Sequence, residues 1–310
     1  MSEAAPITRN DAVQALYSAI EEAAGLLEVE YEPEDVLRIL DLYGGDLTQA
    51  VVAFRVATGA RRSGELDCRF TVPQDADPYQ LALDNGLLEK TDHPVSRLLA
   101  DLREHCPVDG YGIDFGVAGG FKKIWVVLPR TGLQEVTKLA GLPSMPRSLG
   151  ESLDFIARHG LGDTVGLLGI DYRNRTVNIY FGEPPAGGIS SASVRSMLRE
   201  VDQAEPSEQM LRLGRQAFGV YVTLDWDSPV IARICFAVAT TDPSSLPVEL
   251  DEHIGMFVRH VQRADPHTRF VYAVASQPDG EYYKLQSYYR WGAGVPEIMQ
   301  LPEGALADPV

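Results

Sequence analysis

Apolar residues recur at three- and four-residue steps over residues 11–27, through Val13, Leu16, Tyr17, Ile20, Ala24 and Leu27, and predict an amphipathic helix entered through an Asn10 cap. A second helix fits residues 32–43. The period then drops to two. The run AVVAFRVATG from Ala50 and the run GELDCRFTV from Gly64 read as strands of a hairpin joined through the turn-rich TGARRSG. Helix, helix, strand, strand is the order, and it returns. Helices at 78–88 and 93–105 precede strands at 111–118 and 121–128, and helices at 132–140 and 148–158 precede strands at 164–173 and 176–181. Helices at 191–201 and 207–216 precede strands at 218–226 and 230–240. A helix at 250–263 leads into strands at 269–276 and 282–289, with a short helix near 295–299. The chain is therefore about five units of roughly 50 to 60 residues, each closing with a hairpin.

Ten antiparallel strands in one twisted sheet tend to close, because closure removes exposed edges. The expected fold class is α+β, a ten-stranded antiparallel barrel surrounded by helices, in one domain over residues 1–310 with 305–310 as a tail. Alternation assigns the faces. Lys122, Ile124, Val126 and Leu128 oppose Phe121, Lys123, Trp125 and Val127, and Val177, Ile179 and Phe181 oppose Thr176, Asn178 and Tyr180. Val220, Val222 and Leu224 oppose Gly219, Tyr221 and Thr223; Ala232, Ile234, Phe236 and Val238 oppose Ile231, Arg233 and Cys235. Tyr283, Leu285 and Tyr289 oppose Tyr282, Lys284, Gln286 and Tyr288. In the first hairpin Glu65, Asp67, Arg69 and Thr71 share the face opposite Leu66, Cys68, Phe70 and Val72.

Nearly every hairpin thus has one aliphatic face and one that mixes cations with aromatic and amide side chains. Helices must cover the aliphatic face, so the mixed face lines an interior chamber, and a barrel of about ten strands is wider than its side chains fill. Its lining gathers Arg55, Arg69, Lys123, Arg233 and Lys284 against Asp67 as the clear acid. Unpaired buried cations are costly, so the cluster predicts a bound polyanion, and arginine forks with tyrosine hydroxyls suit phosphate oxygens. Trp125, Tyr180, Tyr221, Tyr282 and Tyr288 offer π faces able to shield a carbocation.

Charge sharpens this reading. The 310-residue chain carries a formal charge of −17, which argues against nucleic acid and anionic membranes, so any anion must be held by cations gathered locally. Cys68, Cys106 and Cys235 form no CxxC pair and fit a reducing cytoplasm. No signal segment, no long apolar run and no C-terminal lipidation signal are found. The six histidines make no HxH or HExxH pattern, no GxGxxG follows a strand, and no DDxxD occurs.

GELDCRF, GGFKKIWVVLP, PSMP, DYRNRTVNIYFGE, FGVYVTLDWDS, ICFAV and EYYKLQSYY together resemble the soluble aromatic prenyltransferases of the ABBA fold, the naphterpin and clorobiocin pathway type. The resemblance covers essentially the whole chain. It implies transfer of a dimethylallyl or geranyl group from its diphosphate to an electron-rich aromatic such as a hydroxynaphthoquinone, phenol, phenazine or quinolone. It places Asp67 where magnesium-using members keep their metal-associated aspartate, Lys123, Asn178, Tyr221, Arg233 and Lys284 on diphosphate contacts, and Tyr180 and Tyr288 in the chamber. Arg55 and Arg69 stand where those members have serines, Asn174 replaces a lysine, Gly219 a serine, Trp125 a tyrosine and Gln286 a glycine.

The expected mechanism is electrophilic aromatic substitution. Arg55, Asp67, Arg69, Lys123, Asn178, Tyr221, Arg233 and Lys284 form the diphosphate site, with Lys123, Tyr221, Arg233 and Lys284 the catalytic set. Trp125, Tyr180, Phe218, Val271, Gln286 and Tyr288 form the prenyl and aromatic pocket. Two added arginines make magnesium dispensable, and Asp67 is the metal residue only if magnesium is used. Arg55 and Arg69 also have a structural reading, as partners of Asp67 and Glu65. The partners are a prenyl diphosphate and a small aromatic, and the protein is expected to be a cytoplasmic monomer. The rival readings are a barrel that carries an aromatic metabolite, against which the cation cluster weighs, and a hydrolase releasing prenyl alcohol.

Overall fold

The computed structural model describes residues 8–59, 65–182, 188–265 and 268–290. Its strands are β1 (Val51–Ala57), β2 (Leu66–Pro73), β3 (Gly110–Gly116), β4 (Gly120–Val127), β5 (Gln134–Glu135), β6 (Thr164–Asp171), β7 (Thr176–Phe181), β8 (Gly219–Asp225), β9 (Arg233–Thr240), β10 (Arg269–Gln277) and β11 (Gly280–Arg290). They form one sheet in the order β4-β3-β2-β1-β11-β10-β9-β8-β7-β6-β5, and β4 also pairs with β6. That pairing, Lys123 opposite Asp171 through Val127 opposite Leu167, closes a ten-stranded barrel. The two residues of β5 ride on the far end of β6 and stay outside the closed wall.

Helices wrap the barrel: α1 (Arg9–Leu26), α2 (Pro33–Tyr43), α3 (Pro78–Asp84), α4 (Val95–His105), α5 (Val136–Ala140), α6 (Arg147–Glu151), α7 (Leu153–Arg158), α8 (Ser191–Glu200), α9 (Glu208–Gln216) and α10 (Glu252–Ala264). Their apolar stripes, such as Leu16 and Ile20 of α1, Ile39 and Leu40 of α2 and Phe257 and Val261 of α10, join the outward strand residues Phe54, Phe70, Ile124, Val222 and Phe236 in one continuous core. Each large side chain buried there adds about 1.5 to 3 kcal/mol. The aliphatic faces therefore point outward into helices, and the mixed faces point into the lumen. Among the described residues no helix is long and apolar enough to cross a membrane.

Several element ends differ from expectation for identifiable reasons. The first helix is capped by Thr8, not Asn10: the Asp11 amide donates to the Thr8 hydroxyl at 3.2 Å and the Thr8 amide donates back to the Asp11 carboxylate at 3.1 Å. The helix expected at 132–140 survives only as α5, because Leu133 is extended (φ −52°, ψ 141°) and the chain first pairs with β6 as β5. The helix at 148–158 breaks at Ser152 into α6 and α7. The helix near 295–299 lies outside the described residues.

Candidate active site

Cross-strand register builds the lumen. Arg55 on β1 faces Asp67 on β2, and their side chains form an ion pair. Two residues further along β2, away from the turn that joins it to β1, Arg69 faces Asp114 on β3 and donates to its Oδ2 at 2.9 Å. Lys123 on β4 faces Asp171 on β6 and meets its carboxylate at 3.0 Å. Asp114 and Asp171 are almost completely buried, 1% and 2% exposed. Burial alone would raise the Asp114 carboxyl, but Arg55, Arg69 and Lys123 outweigh it and hold the group below the ordinary carboxylate range. Asp171 follows the same balance: burial raises it, and Lys123 with two hydrogen bonds from Asn174 brings it below its usual value.

Between Asp114 and Phe115 the β3–β4 ladder slips by one residue, so Asp114 opposes Lys123 and Phe115 opposes Phe121. Lys122 is the extra residue of this bulge. Alternation places Lys122 on the aliphatic face with Ile124; the bulge corrects that, and Lys122 reaches Asp67 Oδ1 at 2.6 Å and Glu65 at 3.7 Å. Gly116 makes the approach possible, since a Cβ there would lie 2.6 Å from Lys122 Cε. Two consecutive lysines thus serve one lumen.

The opposite wall is different. Among the described residues neither Arg233 nor Lys284 forms an ion pair with a carboxylate. Arg233 Nη1 donates to the Tyr282 hydroxyl at 2.6 Å, and Lys284 Nζ lies 4.7 Å from the Tyr221 ring centroid. Burial pushes the Lys284 ammonium below its usual pKa, and Arg55 and Arg233 push the same way. Burial also pushes the Tyr221 phenol well up, so it stays protonated and able to donate. These groups converge on a small cavity, partly open to solvent, whose lining includes Arg55, Asp67, Lys123, Asn178, Tyr221, Arg233 and Lys284.

Next to it lies an aromatic wall. Tyr180 stacks on Tyr221 at 4.2 Å and meets the edge of Trp125 at 5.1 Å. Trp125 fits because its cross-strand neighbours are Gly112 and Gly169; a Cβ at Gly169 would sit 2.9 Å from the indole. Its Nε1 donates to Asp114 at 3.1 Å, and the Arg69 guanidinium covers its ring at 3.8 Å. Phe218 and Val271 pack against the cluster that Tyr221, Cys235, Ala237, Ala273, Ala275 and Tyr282 form, while Gln286 donates to the Tyr288 hydroxyl.

The structure gathers Arg55, Asp67, Lys123, Asn178, Tyr221, Arg233 and Lys284 around one cavity and leaves Arg69 outside its lining. Sequence reading names Asp67 as the clear acid of the lumen; Asp114 and Asp171 are buried there too. Both lie on strand faces that alternation marks as inward, Asp114 between Gly112 and Gly116 and Asp171 two residues after Gly169. That spacing is the signal that finds them. Both oxygens of Asp67, the carboxylate that the resemblance associates with magnesium, are already engaged, one by Lys122 and the other by Arg55, so Asp67 as placed here does not fit a magnesium ligand.

The sequence model of the family described as aromatic prenyltransferase Orf2 matches residues 12–297. A flaviolin linalyltransferase of Streptomyces virginiae is 48% identical over 276 residues, 89% of this chain and 92% of that protein. The 5,10-dihydrophenazine-1-carboxylate 9-dimethylallyltransferase of Streptomyces anulatus is 43% identical over 305 residues, 98% of this chain and 100% of that one. The fold is similar to the crystal structure of 5-dimethylallyltryptophan synthase from Streptomyces coelicolor, with a TM-score of 0.52 at 12% identity over 92% of this chain and 97% of that one. A match of this extent, on a closed barrel with a cationic lumen, settles the family: the chain belongs to the aromatic prenyltransferases of the Orf2 type.

Proposed function

We propose that the cavity holds the diphosphate of a dimethylallyl or geranyl donor and that the enzyme transfers the prenyl group without magnesium. The observation that carries this reading is the pairing pattern of the lumen cations. Arg69 and Asp114 form their own pair, and Arg55, Lys122, Lys123, Arg233 and Lys284 then face Asp67, Asp171 and the half-exposed Glu65, five cations to three carboxylates. The surplus lies with Arg233 and Lys284, where a diphosphate would gain charge-assisted hydrogen bonds. A carrier of neutral aromatics would have no use for them.

Charge develops on the departing diphosphate as the allylic C–O bond lengthens. Arg233, Lys284 and Lys123 stabilise it electrostatically, and Asn178 and the Tyr221 hydroxyl offer polar contacts. Thr223 donates to Asn178 Oδ1 at 2.8 Å, which fixes the amide with its NH₂ group free to donate. The allyl cation forms beside the stacked Tyr180 and Tyr221 faces, which stabilise it and exclude water. One face of Trp125 is covered by Arg69, so the tyrosines carry most of this role. The acceptor ring carbon attacks C1 and the ring proton is lost to water or a diphosphate oxygen. The relatives named for flaviolin and a dihydrophenazine support a fused, electron-rich acceptor. Val230 is the one large apolar side chain exposed among the described residues, which supports a monomer. Three buried free cysteines suit a reducing cytoplasm.

The test incubates the protein with dimethylallyl or geranyl diphosphate and a panel of fused aromatics in EDTA, with products read by mass spectrometry. A prenylated aromatic formed in EDTA is expected. Product that appears only with added magnesium overturns the metal-free reading, and prenyl alcohol alone overturns the transfer.

A further inference from the structure

Arg69 is a lumen cation that the donor cavity does not use. It projects from the inward face of β2 two residues beyond Asp67, about 6.6 Å further along the strand. Across β1 from it stands Ala53, and across Ala53 stands Tyr288 on β11. Ala53 is itself covered, but Arg69 keeps 14% of its side chain open, and Tyr180, Val271, Gln286 and Tyr288, inward residues of the other strands, are likewise only partly covered, so a slot of open lumen remains on this side. Arg69 stacked on Trp125 bounds the slot on one side, Tyr288 bounds it on the other, and Tyr180 lies near enough for the Arg69 charge to act on both phenols.

The guanidinium is held but not consumed. Asp114 engages one nitrogen through one oxygen at 2.9 Å, the indole below fixes the plane, and the buried Nε has no hydrogen-bond partner. Asp114 is itself shared, with Trp125 Nε1 at 3.1 Å and Arg55 at 3.9 Å. An arginine carries five donors in a planar fork, so this one retains capacity for an oxyanion in the plane of the slot. A flat aromatic seated in the slot would present its rim to that fork.

We infer that Arg69 recognises the acceptor, not the donor, and that it selects aromatics bearing an ionised oxygen, either an enolate or phenolate or a ring carboxylate. Asp114 acts as the positioning residue that keeps the fork in the slot. The inference rests on the prenyl-transfer reading for the meaning of the slot, but its test needs no prenyl donor.

The experiment titrates the protein, without diphosphate, with two matched pairs, following tryptophan fluorescence: a hydroxynaphthoquinone and its methyl ether, and a phenazine carboxylate and its methyl ester. The acidic member of at least one pair is expected to bind about tenfold or more tighter, the scale of one charge-assisted hydrogen bond, and the pair that discriminates identifies the oxygen. The preference should fade below the pKa of the acceptor. Arg69→Met should abolish it and Arg69→Lys restore part of it. Equal affinities within both pairs for the wild type overturn the inference, even if no variant folds. So does an Arg69→Met protein that keeps the preference but loses affinity for inorganic pyrophosphate, since that places the residue on the donor. Failure of prenyl transfer in EDTA leaves the titration unaffected, so the two readings fail separately.

Discussion

Lys284 and Arg233 sit in the same lumen as Arg55 and Lys123, yet their surroundings give them different work. A cation paired with a buried carboxylate has recovered most of its lost hydration; one facing tyrosines and the Cys235 thiol has not. Lys284 pays for burial with a lowered pKa, and a bound diphosphate would reverse that shift. Replacing Lys284 by Met, or Arg233 by Met, is therefore expected to raise the donor KM about tenfold or more while the fold keeps its stability, because no ion pair is broken. Steady-state kinetics with the acceptor saturating, together with a thermal melt, checks both halves. An unchanged donor KM in both variants would remove these residues from the diphosphate site. The Tyr282 hydroxyl, which accepts from Arg233 at 2.6 Å, holds the guanidinium toward the cavity and accounts for an Arg here in place of Lys.

At the scale of elements, the one-residue bulge on β4 decides the character of the site. It turns Lys122 to the same side as Lys123 and lets it take an oxygen of Asp67, while Gly116 on β3 leaves the space. In Gly116→Ala the added methyl would lie 2.7 Å from Lys122 Nζ, and the flexible lysine is the group that yields. The expected result is a stability loss of about 1 kcal/mol with a freed Asp67 oxygen, and hence a rate in EDTA that drops and partly recovers with magnesium, where the parent shows no response. Initial rates with and without the ion measure this; a variant as indifferent to magnesium as the parent refutes the link. The bulge also marks where sequence reading stops. Period-two alternation predicted which residues of β1, β7, β8, β9 and β11 face inward, because it follows from backbone geometry alone. It cannot register a slip in a ladder, which depends on the partner strand, so it puts Lys122 on the wrong face. Nor does it say which inward cations find carboxylates: Arg69 with Asp114 and Lys123 with Asp171 are pairings between residues 45 to 48 apart in sequence, the first set by the β2–β3 register and the second by barrel closure.

The molecule as a whole carries 17 excess negative charges and keeps its positive cluster inside, so acid acts on it in two opposed ways. Lowering the pH from 7 toward about 4.5 begins to neutralise exposed carboxylates and relieves surface repulsion, which favours the folded state. Asp114 and Asp171 work against this at lower pH. Their folded pKa values lie below the ordinary 3.8, so the stability they confer is complete above that value and is lost as the pH falls through it toward their folded values. Protonating them also strips Arg69 and Lys123 of their partners while those cations remain charged in the lumen. Stability should thus hold or rise slightly from pH 7 to about 4.5 and then fall steeply below about 3.8, by up to ~2.7 kcal/mol per pH unit if both carboxylates bind a proton on unfolding. Urea midpoints across this range provide the measurement, and Asp171→Asn should flatten the acid limb by about one proton. A midpoint at pH 3 equal to that at pH 6 would mean that the buried pairs are not what anchors the barrel wall. The same arrangement explains how a strongly acidic protein admits an anionic substrate: the closed wall separates the inner positive charge from the outer negative charge, and the open side of the cavity is where the cations meet solvent.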